Sequence, residues 1–182
     1  LALQPDGRLM IAGRFDAYDG VARGYVARVN SDGSLDPSFD PGAGANTRVV
    51  ALALQPDGKV LIGGWFNDYN GTYRSRLARL NADGSLDTGF EPGSGVDIPG
   101  GAAKCLAVAA RADGRALIGG SFTRYDGQVR NYVTQVDADG SLDTSFNPYP
   151  GADNEVRAIL TQPDGKALAA RDSLFCAGVI TG

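Results

Sequence analysis

Apolar residues in this chain come in runs of a few positions, and each run stops at a glycine-bearing turn. Arg8-Leu-Met-Ile, Lys59-Val-Leu-Ile and Arg115-Ala-Leu-Ile each follow an Asp-Gly pair, and few apolar stripes reach the length of a helix. Short runs between turn residues predict strands. Through residues 49–90 the pattern predicts Val49 to Gln55, a Pro-Asp-Gly turn, Lys59 to Phe66, a loop through Tyr69 and Gly71, Arg76 to Asn81, an Ala-Asp-Gly-Ser turn, and a short extended piece from Leu86 to Phe90. Asp-Gly between apolar runs signals a hairpin, because glycine supplies the positive φ that such turns need. The prediction is all-β, with four antiparallel strands to a sheet.

That unit recurs. Leu1-Ala-Leu-Gln-Pro-Asp-Gly7 returns unchanged at Leu52 to Gly58, then more weakly at Ala110 to Gly114 and Thr161 to Gly165, at intervals of 51, 56 and 51 residues. The five extra residues fall in the segment beginning Val96-Asp-Ile-Pro, a loop between units. Comparing 1–39 with 52–90, 22 of 39 positions are identical, which points to duplication. The units run approximately 1–48, 49–104, 105–155 and a partial 156–182, about three and a half in all. A single small sheet cannot bury both faces, and stacking the sheets radially as β-propeller blades solves this. A β-solenoid is the rival, but its turns are generally shorter than this repeat. Because propellers close with four to eight blades, ring closure requires further sequence or a second copy, so homo-oligomerisation is an expectation.

Composition supports the turns and removes several function classes. The 26 glycines are about twice ordinary usage. A net charge of −4 with no run of like charge leaves no footprint for nucleic acid. No apolar stretch is long enough to span a bilayer, so membrane insertion is not expected. The chain starts within a repeat and without Met, and reads as a piece of something longer. Cys105 aligns with Val49 and Val156 in a strand and is expected to be a small buried hydrophobe; sequence does not show whether it pairs with Cys176.

The run Ala51-Leu-Ala-Leu-Gln-Pro-Asp-Gly-Lys-Val-Leu-Ile-Gly-Gly-Trp-Phe66, with Leu77-Ala-Arg-Leu-Asn-Ala-Asp-Gly-Ser-Leu-Asp-Thr-Gly-Phe90, resembles the delta-60 repeat family of bacterial β-propeller proteins. The resemblance covers nearly the whole chain. It implies propeller blades and a secreted or cell-surface setting, and it assigns no catalytic residue. The chain departs from the pattern where Arg28 and Arg79 become Gln135, and after Ala170, where the tail is out of register.

With no histidine, the Ser-His-Asp and Cys-His arrangements and the common zinc sets are absent. Most aspartates lie in repeated turns, where a carboxylate caps backbone N–H groups. Asp137-Ala-Asp-Gly-Ser-Leu-Asp143 invites a calcium test, but it lacks the EF-hand pattern and the other copies begin with Asn30 and Asn81; a hairpin is favoured and no cofactor is expected. Gly42-Ala-Gly44 and Gly93-Ser-Gly95 read as blade connectors, and Asn70-Gly-Thr72 as a tight turn rather than a glycosylation acceptor. Trp65 replaces Arg14 and Ser121 and is assigned local packing. The candidate ligand-binding residues are Tyr18, Tyr69 and Tyr125 with Arg23, Arg74 and Arg130, where an aromatic face beside a cation could hold a sugar or a carboxylate. The competing reading has Tyr covering the blade edge and Arg bridging to a carboxylate. The leading expectation is a noncatalytic extracellular scaffold presenting loops to a protein or glycan; a lectin-like propeller and a lactonase-like hydrolase are the alternatives.

Overall fold

The computed structural model describes residues 1–148, 151–162 and 166–170, and the backbone of 178–180. The Pro-Asp-Gly turns ending at Gly7 and Gly58 close alike: Gly58 adopts φ 84°, its N–H donates to the Gln55 carbonyl at 3.0 Å, and Asp57 Oδ1 accepts the Lys59 N–H at 3.1 Å. This pairs Val49–Leu54 antiparallel with Val60–Gly64, which in turn pairs with Leu77–Leu80. The same three strands form blade 1 (Ala2–Leu3, Leu9–Ala12, Val26–Val29) and blade 3 (Lys104–Ala110, Ala116–Ser121, Val133–Val136).

The fourth extended piece of each repeat is short. It meets the third strand at one bridge only, Val29 with Leu35, Leu80 with Leu86 and Val136 with Leu142. The next residue is Asp36, Asp87 or Asp143, whose N–H still bonds across to the third strand while its carboxylate accepts the N–H two residues on, so the chain turns away there. The loop after the second strand holds a small ribbon instead, Asp68–Tyr69 against Thr72–Tyr73, closed by Asn70 and Gly71 at φ 52° and 76°. Asn70 also accepts the Gly44 N–H and donates to the Pro41 carbonyl, so this Asn-Gly-Thr segment is a turn that holds the blade connector. In blade 4, Ala158–Thr161 pairs with Ala167–Ala170, and Gly178–Ile180 takes the third-strand place.

Side-chain alternation puts the middle strand between two cores. Val60 and Ile62 join Met10, Val26, Phe39 and Val49 on the side of blade 1, while Leu61 joins Cys105, Val108 and Ile118 on the side of blade 3. A strand sandwiched this way has no solvent face, which is why Val60–Gly64 is buried throughout. Cys105 is free and fully buried, and burial pushes its thiol up to about 12; Cys176 lies outside the described residues.

The glycine pair ending the middle strand sets how closely blades and strands approach. A Cβ on Gly63 would stand 2.4 Å from Cys105 Sγ of the next blade, and one on Gly119 would stand 2.7 Å from Val156 Cγ1. The second glycine serves its own sheet: a Cβ on Gly64 or Gly120 would stand 2.4 or 2.0 Å from the backbone oxygen of Arg48 or Lys104. Those two residues precede irregularities in the inner strands, between Val49 and Ala51 and between Cys105 and Ala107, and such bulges redirect the flanking side chains. Gly120→Ala should therefore destabilise the protein by about 1–3 kcal/mol, because a backbone carbonyl must move. Gly71→Ala, which meets nothing within 4 Å, should cost only the left-handed penalty of about 1 kcal/mol. Urea unfolding of the two variants measures both, and equal losses would refute the role given to the Lys104 carbonyl.

Candidate functional site

The loop tyrosines do not form the ligand platform that their repetition suggests. Tyr69 and Tyr125 are fully buried, and their hydroxyls donate to the carbonyls of Gly84 at 2.9 Å and Gly140 at 2.7 Å. The ring fills the core and the hydroxyl ties the outer ribbon to the Asp-Gly turn of its own blade. Tyr18 makes the matching bond to Gly33 and is half-exposed. Burial raises the Tyr69 hydroxyl well above its ordinary value, with Asp40 and Asp83 adding to the effect. The paired arginines also serve structure: Arg23, Arg74 and Arg130 each donate to the carbonyl of the preceding residue, and Arg74 reaches Glu91 at 3.0 Å. The physical reason for the correction is that a Tyr at this depth meets the backbone carbonyl of the turn before it can meet solvent.

A different repeated group joins the blades. In blade 2, Asp87 Oδ2 accepts from Arg79 Nε at 2.6 Å and Lys59 Nζ at 2.9 Å, while Oδ1 accepts the Gly89 N–H. Arg79 continues across the joint to the Ala138 carbonyl of blade 3 at 2.5 Å and lies 4.9 Å from the Phe90 ring centroid. Blade 1 does the same with Asp36, Arg28, Ser38 and the Ala82 carbonyl. In blade 3 Gln135 keeps the bond to Asp143 at 2.6 Å, and Arg115 supplies the charge at 3.1 Å. The Asp139 carboxylate is likewise taken by the N–H and hydroxyl of Ser141. Two carboxylates of the run considered for calcium, Asp139 and Asp143, are thus engaged in a turn and a joint, and among the described residues no three potential ligands gather to hold a metal ion.

Two hollows open at opposite ends of the inner strands. One, of about 480 Å³, lies where the first Asp-Gly turns of three blades converge, around Gln4, Gln55 and Arg111. The other, of about 360 Å³, is lined by Arg14, Tyr25, Thr47, Arg48 and Trp65. Here Trp65 is half-buried, the Arg48 guanidinium stands 3.6 Å from its ring centroid and the Lys104 ammonium 4.4 Å. The Trp65 N–H donates to the Arg48 carbonyl at 3.1 Å, and Arg76 donates to the Trp65 carbonyl at 2.5 Å. Arg14, Arg48 and Lys104 form no ion pair with any described residue.

A family model described as a domain of unknown function (DUF5122) beta-propeller matches residues 4–39, 55–90 and 111–146, more than half of the chain. The chain belongs to the DUF5122 β-propeller family. This agrees with the resemblance to delta-60 repeats read from the turns and core positions. No curated protein matches this DUF5122 chain. Among solved structures, one provisionally described as a gluconolactonase is 20% identical, with 92% of this chain and 53% of that one covered at a TM-score of 0.49. Another, a protein of unknown function from Bacteroides caccae, is 14% identical over 89% of this chain and 49% of its own, at 0.44. The chain spans about half the length of each.

Each matched DUF5122 segment ends shortly after the joint carboxylate, and those carboxylates make stability depend on pH. For Asp36, burial alone would raise the carboxyl, but the Ser38 hydroxyl and N–H and the Arg28 guanidinium outweigh it and hold it at about 2. Asp143 is held further below the usual range against its burial by Ser145, Gln135 and Arg115. Asp87 is lowered too, its burial offset by Lys59, Arg79 and the Gly89 N–H. A depressed folded-state value contributes stability above the unfolded value of about 3.9, and this is lost as the proton adds in the folded state. The urea midpoint should accordingly hold from about pH 7 to 5 and fall between about 4 and 2. A midpoint flat across that acid window would contradict the joint's charge. Tyr69→Phe should cost about 1–3 kcal/mol, since the Gly84 carbonyl loses its buried donor; a variant as stable as the parent in the same assay would return Tyr69 to the candidate ligand residues.

Proposed function

We propose that this propeller module is noncatalytic and binds its ligand at the hollow beside Trp65, in a secreted or cell-surface protein. The observation that carries the reading is where the repeat stops repeating. Residues identical between blades are consumed by turns, core and joints. Around this hollow two sets of equivalent positions differ in every copy, Arg14, Trp65 and Ser121 and then Thr47, Ala103 and Asn154, while Tyr25 recurs as Tyr132 and is Arg76 between them. A concave patch whose residues depart from the structural pattern is where ligand chemistry can be built without cost to blade stacking.

The lining favours binding over turnover. The guanidiniums of Arg14 and Arg48 offer N–H donors and no acceptor, so they suit attracting and orienting an anion. Thr47 has no base within the lining set to activate its hydroxyl. The lactonase-like alternative has no independent support from the lining residues. A glycan array and a panel of candidate protein partners, probed with the parent and with Trp65→Ala, test the reading. Binding should be lost in Trp65→Ala and retained in an exposed outer-ribbon variant such as Arg124→Gln. Parent binding that survives Trp65→Ala, or hydrolysis of lactones by the parent, would overturn it.

A further inference from the structure

We infer that the hollow beside Trp65 is an oxyanion site, which takes a carboxylate or phosphate group of the ligand between Arg14, Arg48 and Lys104. This rests on the binding reading above and specifies its chemistry. The chain carries a net charge of −4, yet these three cations gather near one end of the inner strands with no carboxylate of a described residue in ion-pair reach. The arginines of the blade joints differ: Arg28, Arg79 and Arg115 each face an aspartate within 3.1 Å. Unpaired cations in a concave site bordered by low-dielectric walls raise the local potential and concentrate anions.

The backbone puts the cations there. The glycine at position 64 lets the Arg48 carbonyl lie against the end of the middle strand, and the bulge that follows redirects the chain. Glycine 120 does the same for Lys104. The Trp65 ring then receives both charges, which makes it a support for cations rather than an open platform for a neutral sugar. An arriving oxyanion would exchange these weak ring contacts for charge-assisted hydrogen bonds from the guanidiniums, with the Thr47 hydroxyl as a further donor in the lining.

Trp65 is the only tryptophan in the chain, so its fluorescence reads this site alone. Titrations with inorganic phosphate and with glucuronate, each at matched ionic strength against sodium chloride, should give a saturable change in emission with half-saturation at about 1–10 mM or lower. Glucose, the neutral counterpart of glucuronate, should give none. Arg48→Gln and Arg14→Gln should each weaken the response by about tenfold or more. Arg14 is exposed, so its variant tests the site even if Arg48→Gln perturbs the fold, and Arg124→Gln should titrate like the parent. Saturation by phosphate alone or by glucuronate alone identifies which oxyanion the site prefers. No saturable change with either anion, an equal change with glucose, or parent-like titration by both site variants would overturn the inference. A response confined to neutral glycans would overturn it while leaving the binding module intact.

Discussion

The structure depends on one buried carboxylate per blade. Asp36, Asp87 and Asp143 stand at the end of the last hairpin, and each does three things at once. Its N–H bonds to the third strand, its carboxylate caps the following turn, and it receives basic groups from the strands of its own blade. In blades 1 and 2 the same arginine that neutralises it crosses to the next blade. Removing one partner of a buried pair leaves a charge without water or counterion, which costs far more than the pair contributes. Hairpin geometry and blade spacing are therefore coupled through a single side chain. Backbone bonds run parallel to this joint, from the Asp40 N–H to Asp83 and from the Glu91 N–H to Asp139.

Blade 3 shows how the arrangement tolerates change. Gln135 cannot neutralise Asp143, but Arg115, just before the second strand, does so as Arg8 and Lys59 do in the other two blades, so one charged partner remains while Gln135 keeps the hydrogen bond. The glycine pair is the complementary constraint. The ionic joint holds the blades at one place along the strands, and Gly63 and Gly119 remove the side chain that would keep them apart at another. Bulges beside Gly64 and Gly120 are the local result, and they carry Arg48 and Lys104 to the end of the sheets where Trp65 lies. The candidate site is thus a product of the same close approach that packs the core.

The residues that repeat between blades are those tied into turns, core and joints. The tyrosines Tyr18, Tyr69 and Tyr125 repeat because every blade needs a donor for the carbonyl of its Asp-Gly turn. Trp65 does not repeat, and it stands with two cations in a hollow. The signal that would have found it was present in the sequence: a sole tryptophan at a position that is Arg in one blade and Ser in another, with basic residues one place before two inner strands. The competing reading of the repeated residues, in which they serve the blade, fits the buried hydroxyl bonds of Tyr69 and Tyr125.

Blade architecture was legible because it follows from local rules. Asp-Gly turns force hairpins, alternating side chains define two faces, and a regular period implies stacking, all within a few dozen residues. The short fourth strand was less legible, since its length is decided by the carboxylate of Asp36, Asp87 or Asp143 drawing the chain into a turn. What only the tertiary structure decided is which polar side chains end up satisfied. Arg79 meets the Asp87 carboxylate within its own repeat, whereas the Ala138 carbonyl that it also reaches lies 59 residues away and is brought close by blade packing. Sequence alone determined the blades, through interactions among neighbours in the chain; the bonds that carry Arg28 and Arg79 across the joints to the Ala82 and Ala138 carbonyls, and the gathering of cations beside Trp65, are long-range outcomes that no single repeat contains.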